Sequence, residues 1–379
     1  MDATAAALRA VLSPGSTPRR LLDAIAQGSP YLWDLARADP ERLAQVLTTD
    51  PDERLAQIVA STDEAVASAP DDETAMRALR RMKSEAALLI ALSDIAGTWP
   101  IGRVIQALTD VADTAVRATV RYLLGNAARD GRLKPRDPGR PDEGSGYIVL
   151  AMGKMGAREL NYSSDIDLIV FYDRAAPALV ADVEAGSLFV RVTRALVRLL
   201  QERTVDGYVC RVDLRLRPDP ASTQIAISRE AGLDYYESVG QNWERAAMIK
   251  ARPIAGDIAA GEAMLKDLSP FVWRKYLDFA AVADVHAMKR QIHAYRGHGD
   301  IAIEGHNVKI GRGGIREIEF FVQTQQLIAG GRNPELRGRE TLAMLDALAR
   351  GSWIGEVARD ELAAAYRYLR RVEHRLQMV

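Results

Sequence analysis

The amino-acid sequence predicts a predominantly helical α+β fold in which one small sheet is flanked by helical N-terminal and C-terminal regions. Up to about Lys134, alanine, leucine, arginine and aspartate recur with helical periodicity, and runs of β-forming residues are almost absent. Two short apolar runs, 147–152 and 166–172, then have the length and composition of buried strands. The helical pattern returns after Asp257, with a helix expected over 281–296, a break at 298–300, and helix from Thr341 to the last residue. We therefore predict a helical region over 1–135, a sheet-containing core over 136–257 and a second helical region over 258–379.

Helix start signals support the assignment of the first region. Thr17-Pro18 and Ser29-Pro30 each resemble a capping residue followed by a first-turn proline, and residues 86–96 and 104–124 have the pattern of longer packed helices. The first 16 residues lack a basic lead-in, which argues against a secretory signal. The longest apolar stretch, 86–92, is too short to cross a bilayer. These features predict a cytoplasmic protein that does not enter the membrane.

Composition restricts the classes of function. The 379 residues include 50 Lys and Arg against 51 Asp and Glu, so the whole chain exerts no net pull on nucleic acid or membrane, and any anion site must be local. Cys210 is the only cysteine, which excludes an internal disulfide and a cysteine-based zinc site and is typical of a reducing cytosol. The five histidines show no reliable metal-ligand spacing.

Two stretches bear on how the chain is divided. Residues 135–146 concentrate proline, glycine and charge, which predicts an exposed linker, with a mobile segment beside an active site as the alternative. Residues 361–379 contain good helix formers and no glycine stop. We therefore expect the chain to be a fragment of a longer protein.

The second predicted strand begins with two acidic residues. Because side chains alternate along a strand, Asp165 and Asp167 point to one face, whereas Ile166 and Leu168 point into the core. Neighbouring anions at the end of a buried strand repel each other unless a cation lies between them. Mg²⁺ is the expected cation, since it takes one or two carboxylates and shares its remaining positions with water and substrate phosphates.

A third acid follows on residues 207–218, which alternate like a strand. The alternation places Asp213 on one face with Arg211, Arg215 and Arg217. A neighbouring strand lies only about 5 Å away, so Asp213 could reach the same metal, and the arginines would suit phosphate oxygens. The alternative is an ion pair between Asp213 and Arg211 or Arg215.

Basic residues recur in two later segments. Residues 235–249 have the pattern of one helix that leads to Lys250-Ala251-Arg252-Pro253, where the extended conformation before proline should project Lys250 and Arg252 to one side, as surface charge or toward a substrate. Residues 307–315 form a basic, glycine-rich turn that opens onto a helix over 315–328. Free backbone N–H groups there, with Lys309 and Arg312, predict a phosphate contact. The alternative is that the glycines only serve the turn and that nearby glutamates pair with the cations.

The order of these segments resembles a known family. MGKMGARELNYSSDIDLIVFYD, RVDLRLRP, WERAAMIKARPIAGD, FVWRKYLDF and KIGRGGIREIEFFVQ resemble, in that order, the bifunctional glutamine synthetase adenylyltransferase/adenylyl-removing enzymes. These belong to the nucleotidyltransferase superfamily, whose fold is shared with β-type DNA polymerases. The resemblance covers about residues 147–331 and implies a small mixed, polymerase-β-like sheet. One departure from the wider superfamily is Gly153-Lys154, where many relatives carry Gly-Ser or Gly-Gly.

The resemblance implies a reaction. The family carries two nucleotidyltransferase halves: one uses ATP to attach AMP to a tyrosine of glutamine synthetase, and the other removes the AMP with phosphate and releases ADP. Since the motifs occur once, behind a helical stretch, we expect the first, adenylyl-removing half, which regulates nitrogen assimilation. The alternatives are the adenylylating half, or a silent module that binds glutamine synthetase or a PII signal protein. A nucleic-acid-directed enzyme would need a basic, aromatic surface, which the near-zero net charge disfavours.

The resemblance also assigns roles to residues. The catalytic residues and Mg²⁺ ligands are expected to be Asp165, Asp167 and Asp213. The expected nucleotide and phosphate contacts are Gly153, Lys154, Ser163, Ser164, Arg215, Arg217, Lys250, Lys309 and Arg312. No histidine base is expected, because inorganic phosphate is already anionic and needs mainly charge neutralisation and in-line placement.

Overall fold

The computed structural model describes residues 2–275 and 305–379. Seven helices make up the N-terminal region: α1 (Asp2–Val11), α2 (Thr17–Gly28), α3 (Pro30–Ala38), α4 (Pro40–Thr48), α5 (Pro51–Ala67), α6 (Asp72–Ile95) and α7 (Ile101–Arg129). In the described part of the chain, no helix combines the length and the apolar character needed to cross a membrane.

Proline and short polar residues determine where the early helices begin. The Ser29 hydroxyl accepts a hydrogen bond from the Leu32 amide, and Pro30 occupies the first helical position of α3, as predicted. In α2 the cap is Ser16 and not Thr17. The Ser16 backbone is extended and its hydroxyl accepts from the Arg19 amide at 3.3 Å, which leaves Thr17 already inside the helix.

The central region contains the strands β1 (Tyr147–Ala151), β2 (Ile166–Tyr172), β3 (Val212–Asp213), β4 (Ile227–Ser228) and β5 (Arg252–Gly256). β2 is antiparallel to β1, and β1 is antiparallel to β5. β3 is parallel to the start of β2, and β4 is parallel to its end. The sheet is therefore small and mixed, and with the surrounding helices it confirms the predicted fold class.

Helices cover both faces of this sheet. The helices of this region are, in chain order, α8 (Gly153–Gly156), α9 (Ala185–Gln201), α10 (Arg229–Ser238), α11 (Asn242–Met248), α12 (Ile258–Asp267) and α13 (Ser269–Val272). Tyr147 and Val149 of β1 belong to a core shared with α2–α7 and α9, whereas Ile148 and Leu150 belong to a second core with α10–α13. This alternation is the two-residue period of a strand buried on both faces.

Two predicted elements are shorter than the sequence pattern suggested. The expected strand over 207–218 pairs only at Val212–Asp213, because the Arg215 amide donates to the Asp213 carboxylate at 2.8 Å and the backbone turns there. The expected helix over 235–249 is two helices, α10 and α11. They separate at Gly240, where a Cβ would lie 2.7 Å from the Tyr236 carbonyl oxygen.

The predicted linker is only partly exposed. Residues 136–140 are largely exposed, but Asp142 is buried and its carboxylate pairs with Arg121 at 3.0 Å. Gly146 has φ +70°, and a Cβ there would lie 2.4 Å from the Ala176 Cβ. The second half of this segment is therefore part of the packed fold. Since the first core contains both N-terminal helices and β1, the domain boundary near 135 stays a prediction.

The C-terminal region contains α14 (Ile315–Ala329), a 3₁₀ turn (Pro334–Leu336), α15 (Thr341–Arg350) and α16 (Glu356–Met378) around a third core. α14 confirms the helix predicted over 315–328. The expectation of helix from Thr341 to the last residue is wrong at residues 351–355, which separate α15 from α16. The helix predicted over 281–296 and the break at 298–300 lie outside the described residues.

Candidate active site

Three acidic residues lie near one another at one end of the sheet. Asp165 precedes β2 directly, Asp167 is the second residue of that strand, and the parallel register of β3 places Asp213 beside Asp167. Neighbouring strands are about 4.8 Å apart. The structure thus brings together the three acids that the sequence singled out, although β3 is much shorter than predicted.

The turn between β1 and α8 leaves room for the Asp167 side chain. Gly153 has φ +53°, and a Cβ at this position would lie 2.7 Å from Oδ2 of Asp167. The Met152 amide donates to the Asp167 carbonyl oxygen at 2.8 Å, which fixes the turn against β2. Glycine is needed here both for the left-handed backbone and for the close approach of the carboxylate.

Asp167 lies in an unfavourable field for a carboxylate. Partial burial raises its pKa to about 6, and the charges of Asp213 and Asp165 contribute in the same direction. Arg316 and Lys309 oppose this effect. The acids therefore repel one another as expected, and the basic turn before α14 faces them.

The other two acids each hold an arginine. The Arg211 guanidinium donates to Asp165 and, at 3.1 Å, to the Ser163 carbonyl oxygen. Arg215 donates through Nε to both Asp213 oxygens, at 3.0 and 2.9 Å, and this bond lowers the pKa of the Asp213 carboxyl. The ion pair that the sequence left open as an alternative is therefore present. Because the Arg215 side chain is 83% exposed, it can leave Asp213 without unfolding any element.

The donor chemistry fits a divalent cation such as Mg²⁺. Carboxylate oxygens are its preferred ligands. Burial, and after it the charges of Asp213 and Asp165, raises the pKa of Asp167, and a bound cation would stabilise the charged carboxylate against both effects. Among the described side chains, no three His, Cys, Asp or Glu residues converge closely enough to hold a metal ion. Two of the three acids are instead paired with arginines, Asp165 with Arg211 and Asp213 with Arg215.

The basic turn over 305–314 leads directly into α14. Lys309 and Arg312 are exposed, and Gly314 begins the helix without any side-chain cap. The Arg316 guanidinium lies 4.0 Å from the Glu319 carboxylate. The backbone amides of this turn have partners within it, since Gly313 donates to the Glu317 carboxylate at 2.9 Å and Ile315 to the Val308 carbonyl oxygen at 3.0 Å. The exposed cations, and not free amides, are therefore what makes this surface suited to a phosphate group.

Other predicted phosphate contacts are occupied within the fold. The Lys154 ammonium lies 3.3 Å from both oxygens of Glu373 and is only 14% exposed. Lys250 is buried against Glu159 at 3.3 Å. Arg217 donates to the Leu214 and Pro220 carbonyl oxygens at 2.9 Å, within its own loop.

The geometry after α11 also corrects one expectation. Lys250 and Arg252 do not project together from the surface, because Lys250 is buried and Arg252 pairs with Asp113 at 2.8 and 3.0 Å. Closer to the acids, Ser163 is exposed and Ser164 partly exposed. The phosphate roles of all these residues stay predictions.

Sequence reasoning missed the acids that hold the buried lysines. Glu159, Glu319 and Glu373 are all nearly inaccessible. Burial would raise the pKa of Glu319, but Lys250, Lys154 and other cations lower it to about 2. No local pattern signals this network, because Glu373 lies 219 residues from Lys154 along the chain.

Comparison with known proteins identifies the family. The profile of the family described as glutamate-ammonia ligase adenylyltransferase matches residues 19–267, and that described as GlnD PII-uridylyltransferase matches residues 285–379. Curated proteins named bifunctional glutamine synthetase adenylyltransferase/adenylyl-removing enzyme are similar over nearly the whole chain. The protein from Bradyrhizobium diazoefficiens is 65% identical over 95% of this chain, and that from Xanthobacter autotrophicus is 61% identical over 99%.

These relatives are much longer than the present chain. The alignments cover 36% of the Bradyrhizobium diazoefficiens protein and 38% of the Xanthobacter autotrophicus protein. The family profile nevertheless covers well over half of this chain, including the three acids and every strand of the sheet. The chain belongs to the glutamate-ammonia ligase adenylyltransferase family.

Proposed function

We propose that this chain removes AMP from adenylylated glutamine synthetase by phosphorolysis, with inorganic phosphate as co-substrate and ADP as product. The observation that carries the proposal is the parallel register of Asp167 and Asp213 beside Asp165, with the basic turn over 305–314 facing them. The relatives are named for both adenylylation and AMP removal. Their alignment with this chain lies in the first 38% of their length, and the resemblance assigns AMP removal to the first half.

The reaction exchanges one phosphorus–oxygen bond for another. An oxygen of hydrogen phosphate attacks the α-phosphorus of the adenylyl group, the bond to the tyrosine oxygen breaks, and the proton that the phosphate loses is taken up by the tyrosine oxygen. The exposed cations Lys309 and Arg312 would bind the incoming phosphate and reduce its repulsion from the adenylyl phosphate. Placement of the two phosphates in line accounts for most of the catalysis that such a site needs.

The acids would hold Mg²⁺, with Asp167 and Asp213 on adjacent strands and Asp165 at the start of β2. When bound, the cation supplies charge neutralisation at the phosphate oxygens. Arg211 and Arg215, which hold Asp165 and Asp213, would then be free to bind phosphate oxygens themselves. The resemblance also names a PII signal protein and ATP, which we propose as further partners. We propose the cytoplasm as the compartment in which the chain acts.

Measurement of ADP release tests the proposal directly. Adenylylated glutamine synthetase, inorganic phosphate and Mg²⁺ are incubated with the chain, and ADP is expected with the native chain and about 100-fold less with Asp165→Asn. Asp182→Asn, an exposed acid on the segment between β2 and α9, is the matched control and should behave as the native chain.

Two outcomes would contradict the assignment. Undiminished ADP release by Asp165→Asn would remove this acid from the mechanism. AMP incorporation from ATP into unmodified glutamine synthetase, without ADP release from the adenylylated form, would favour the adenylylating reaction, which uses the same acids.

A further inference from the structure

One face of the last helix contacts the loop that ends at Asp165, the first of the three acids. Arg370, Glu373 and Gln377 lie three and four residues apart on α16 and so share one side of the helix. The loop in question runs from α8 to the start of β2, residues 153–165. The three side chains contact it at its beginning, middle and end.

Each contact is specific and close. At the beginning of the loop, Glu373 accepts from the Lys154 ammonium with both oxygens at 3.3 Å. In the middle, the Arg370 guanidinium donates to the Glu159 carbonyl oxygen at 2.7 Å. At the end, the Gln377 side-chain oxygen accepts from the Ser163 amide at 3.2 Å, only two residues before Asp165.

The contact surface is polar, and it is deeply buried at Arg370 and Glu373 but exposed at the bond between Gln377 and Ser163. Arg370 is 1% exposed and Glu373 4% exposed, whereas the apolar residues Ala363 and Tyr366 of the same helix belong to the third core. Buried charges of this kind are expensive to separate, because removal of one partner leaves the other uncompensated. Displacing α16 would therefore break these contacts and leave the loop before Asp165 without them.

We propose that Glu373 and Gln377 are positioning residues, and that α16 acts as a latch which holds the 153–165 loop in the arrangement that the acid site requires. The consequence for catalysis rests on the proposed function. Any partner or modification that moves α16 would change the position of Lys154 and Asp165 together. The site thus depends on a helix that begins about 190 residues after Asp165 and Asp167 along the chain.

Hydrogen–deuterium exchange and ADP release, both measured on the full chain, test the latch. Loop amides, including that of Ser163, should exchange about fivefold faster or more in Glu373→Gln and in Gln377→Ala than in the native chain, while α7 amides stay unchanged. ADP release should fall in parallel, with Glu373→Asp intermediate because it keeps the charge. Glu361→Gln, an exposed glutamate on the same helix, is the matched control and should leave both quantities unchanged.

The two measurements separate the latch from the proposed reaction. Native-like loop exchange in Glu373→Gln and Gln377→Ala would overturn the latch, and so would faster exchange with undiminished ADP release. Faster loop exchange in a chain that never releases ADP would support the hold of α16 on the loop and refute the proposed function. Faster exchange in α7 as well would mean general destabilisation and would overturn a positioning role.

Discussion

At the scale of single residues, Asp167 shows how the site differs from an ordinary surface. Its pKa is raised to about 6, first by burial and then by Asp213 and Asp165. Natural active sites commonly hold such mutually repelling acids at a cost in stability, because the arrangement is useful only when a cation or substrate is bound. Asp213 escapes this effect through Arg215, which lowers its pKa.

Asp167→Asn should therefore stabilise the metal-free fold at neutral pH. A carboxyl whose folded-state pKa is raised loses stability as the pH rises from its unfolded value of 3.8 to about 6, so that the full cost is present above pH 6. Urea unfolding should show a gain on the order of 1–2 kcal/mol at pH 7.5 and almost none at pH 4. ADP release should be lost at the same time.

The control for this change is Asp182→Asn, which removes an exposed carboxylate away from the site. It should alter neither stability nor ADP release. A loss of stability for Asp167→Asn at pH 7.5 would show that burial and the neighbouring acids do not destabilise the charged Asp167 carboxylate in the folded chain.

At the scale of elements, the turn between β1 and α8 determines whether the Asp167 carboxylate fits. The sequence marked this turn through Gly153, at the end of an apolar strand, and the strand bounds were nearly correct. The sequence did not show that the glycine leaves space for an acid on the next strand. β3 illustrates the converse, since alternation predicted a long strand and the bond from the Arg215 amide to Asp213 ended it after two residues.

Gly153→Ala should impair the site more than it impairs the fold. The left-handed φ of +53° costs about 1–2 kcal/mol with a Cβ, and the Cβ also meets the Asp167 carboxylate at 2.7 Å. Gly207→Ala is the matched control, because Gly207 has φ +86° and open space around it. Urea unfolding should show similar losses for both variants, whereas only Gly153→Ala should lower ADP release, by about tenfold or more.

Equal activity in the two variants would contradict this reading of the turn. It would mean that Asp167 can shift away from the new methyl group without consequence for the reaction.

At the scale of the whole molecule, α16 joins the C-terminal helices to the N-terminal ones as well as to the loop. His374 is completely buried, and its Nδ1 lies 3.1 Å from the Asp94 carboxylate on α6. Arg375 donates to the Asp94 carbonyl oxygen at 3.0 Å. Burial lowers the pKa of His374, although Asp94 acts in the opposite direction.

The folded chain should consequently lose stability in mild acid. A histidine with a lowered folded-state pKa takes up its proton more readily when unfolded, so its contribution is complete above about pH 6.5 and is lost as the pH falls below that value. Thermal unfolding between pH 7.5 and 5 should show a decreasing midpoint for the native chain. His374→Gln should show a smaller decrease from a lower starting value. An unchanged slope in this variant would exclude His374 as the source of the pH dependence.

The sequence by itself determined the helical regions, the two long strands and the identity of the three acids. These features depend on spacings of two to four residues, which the periodicity of a strand or helix makes visible locally. It also carried the motifs that indicate the family. Such information needs no knowledge of the chain's path in space.

Only the tertiary structure decided which charges meet. Lys154 pairs with Glu373 across 219 residues and Lys250 with Glu159 across 91, whereas the sequence placed both lysines at phosphates. A buried cation requires a compensating anion, and packing selects that anion from distant parts of the chain that no local pattern connects. The proposed dependence of the 153–165 loop on α16 has the same physical reason.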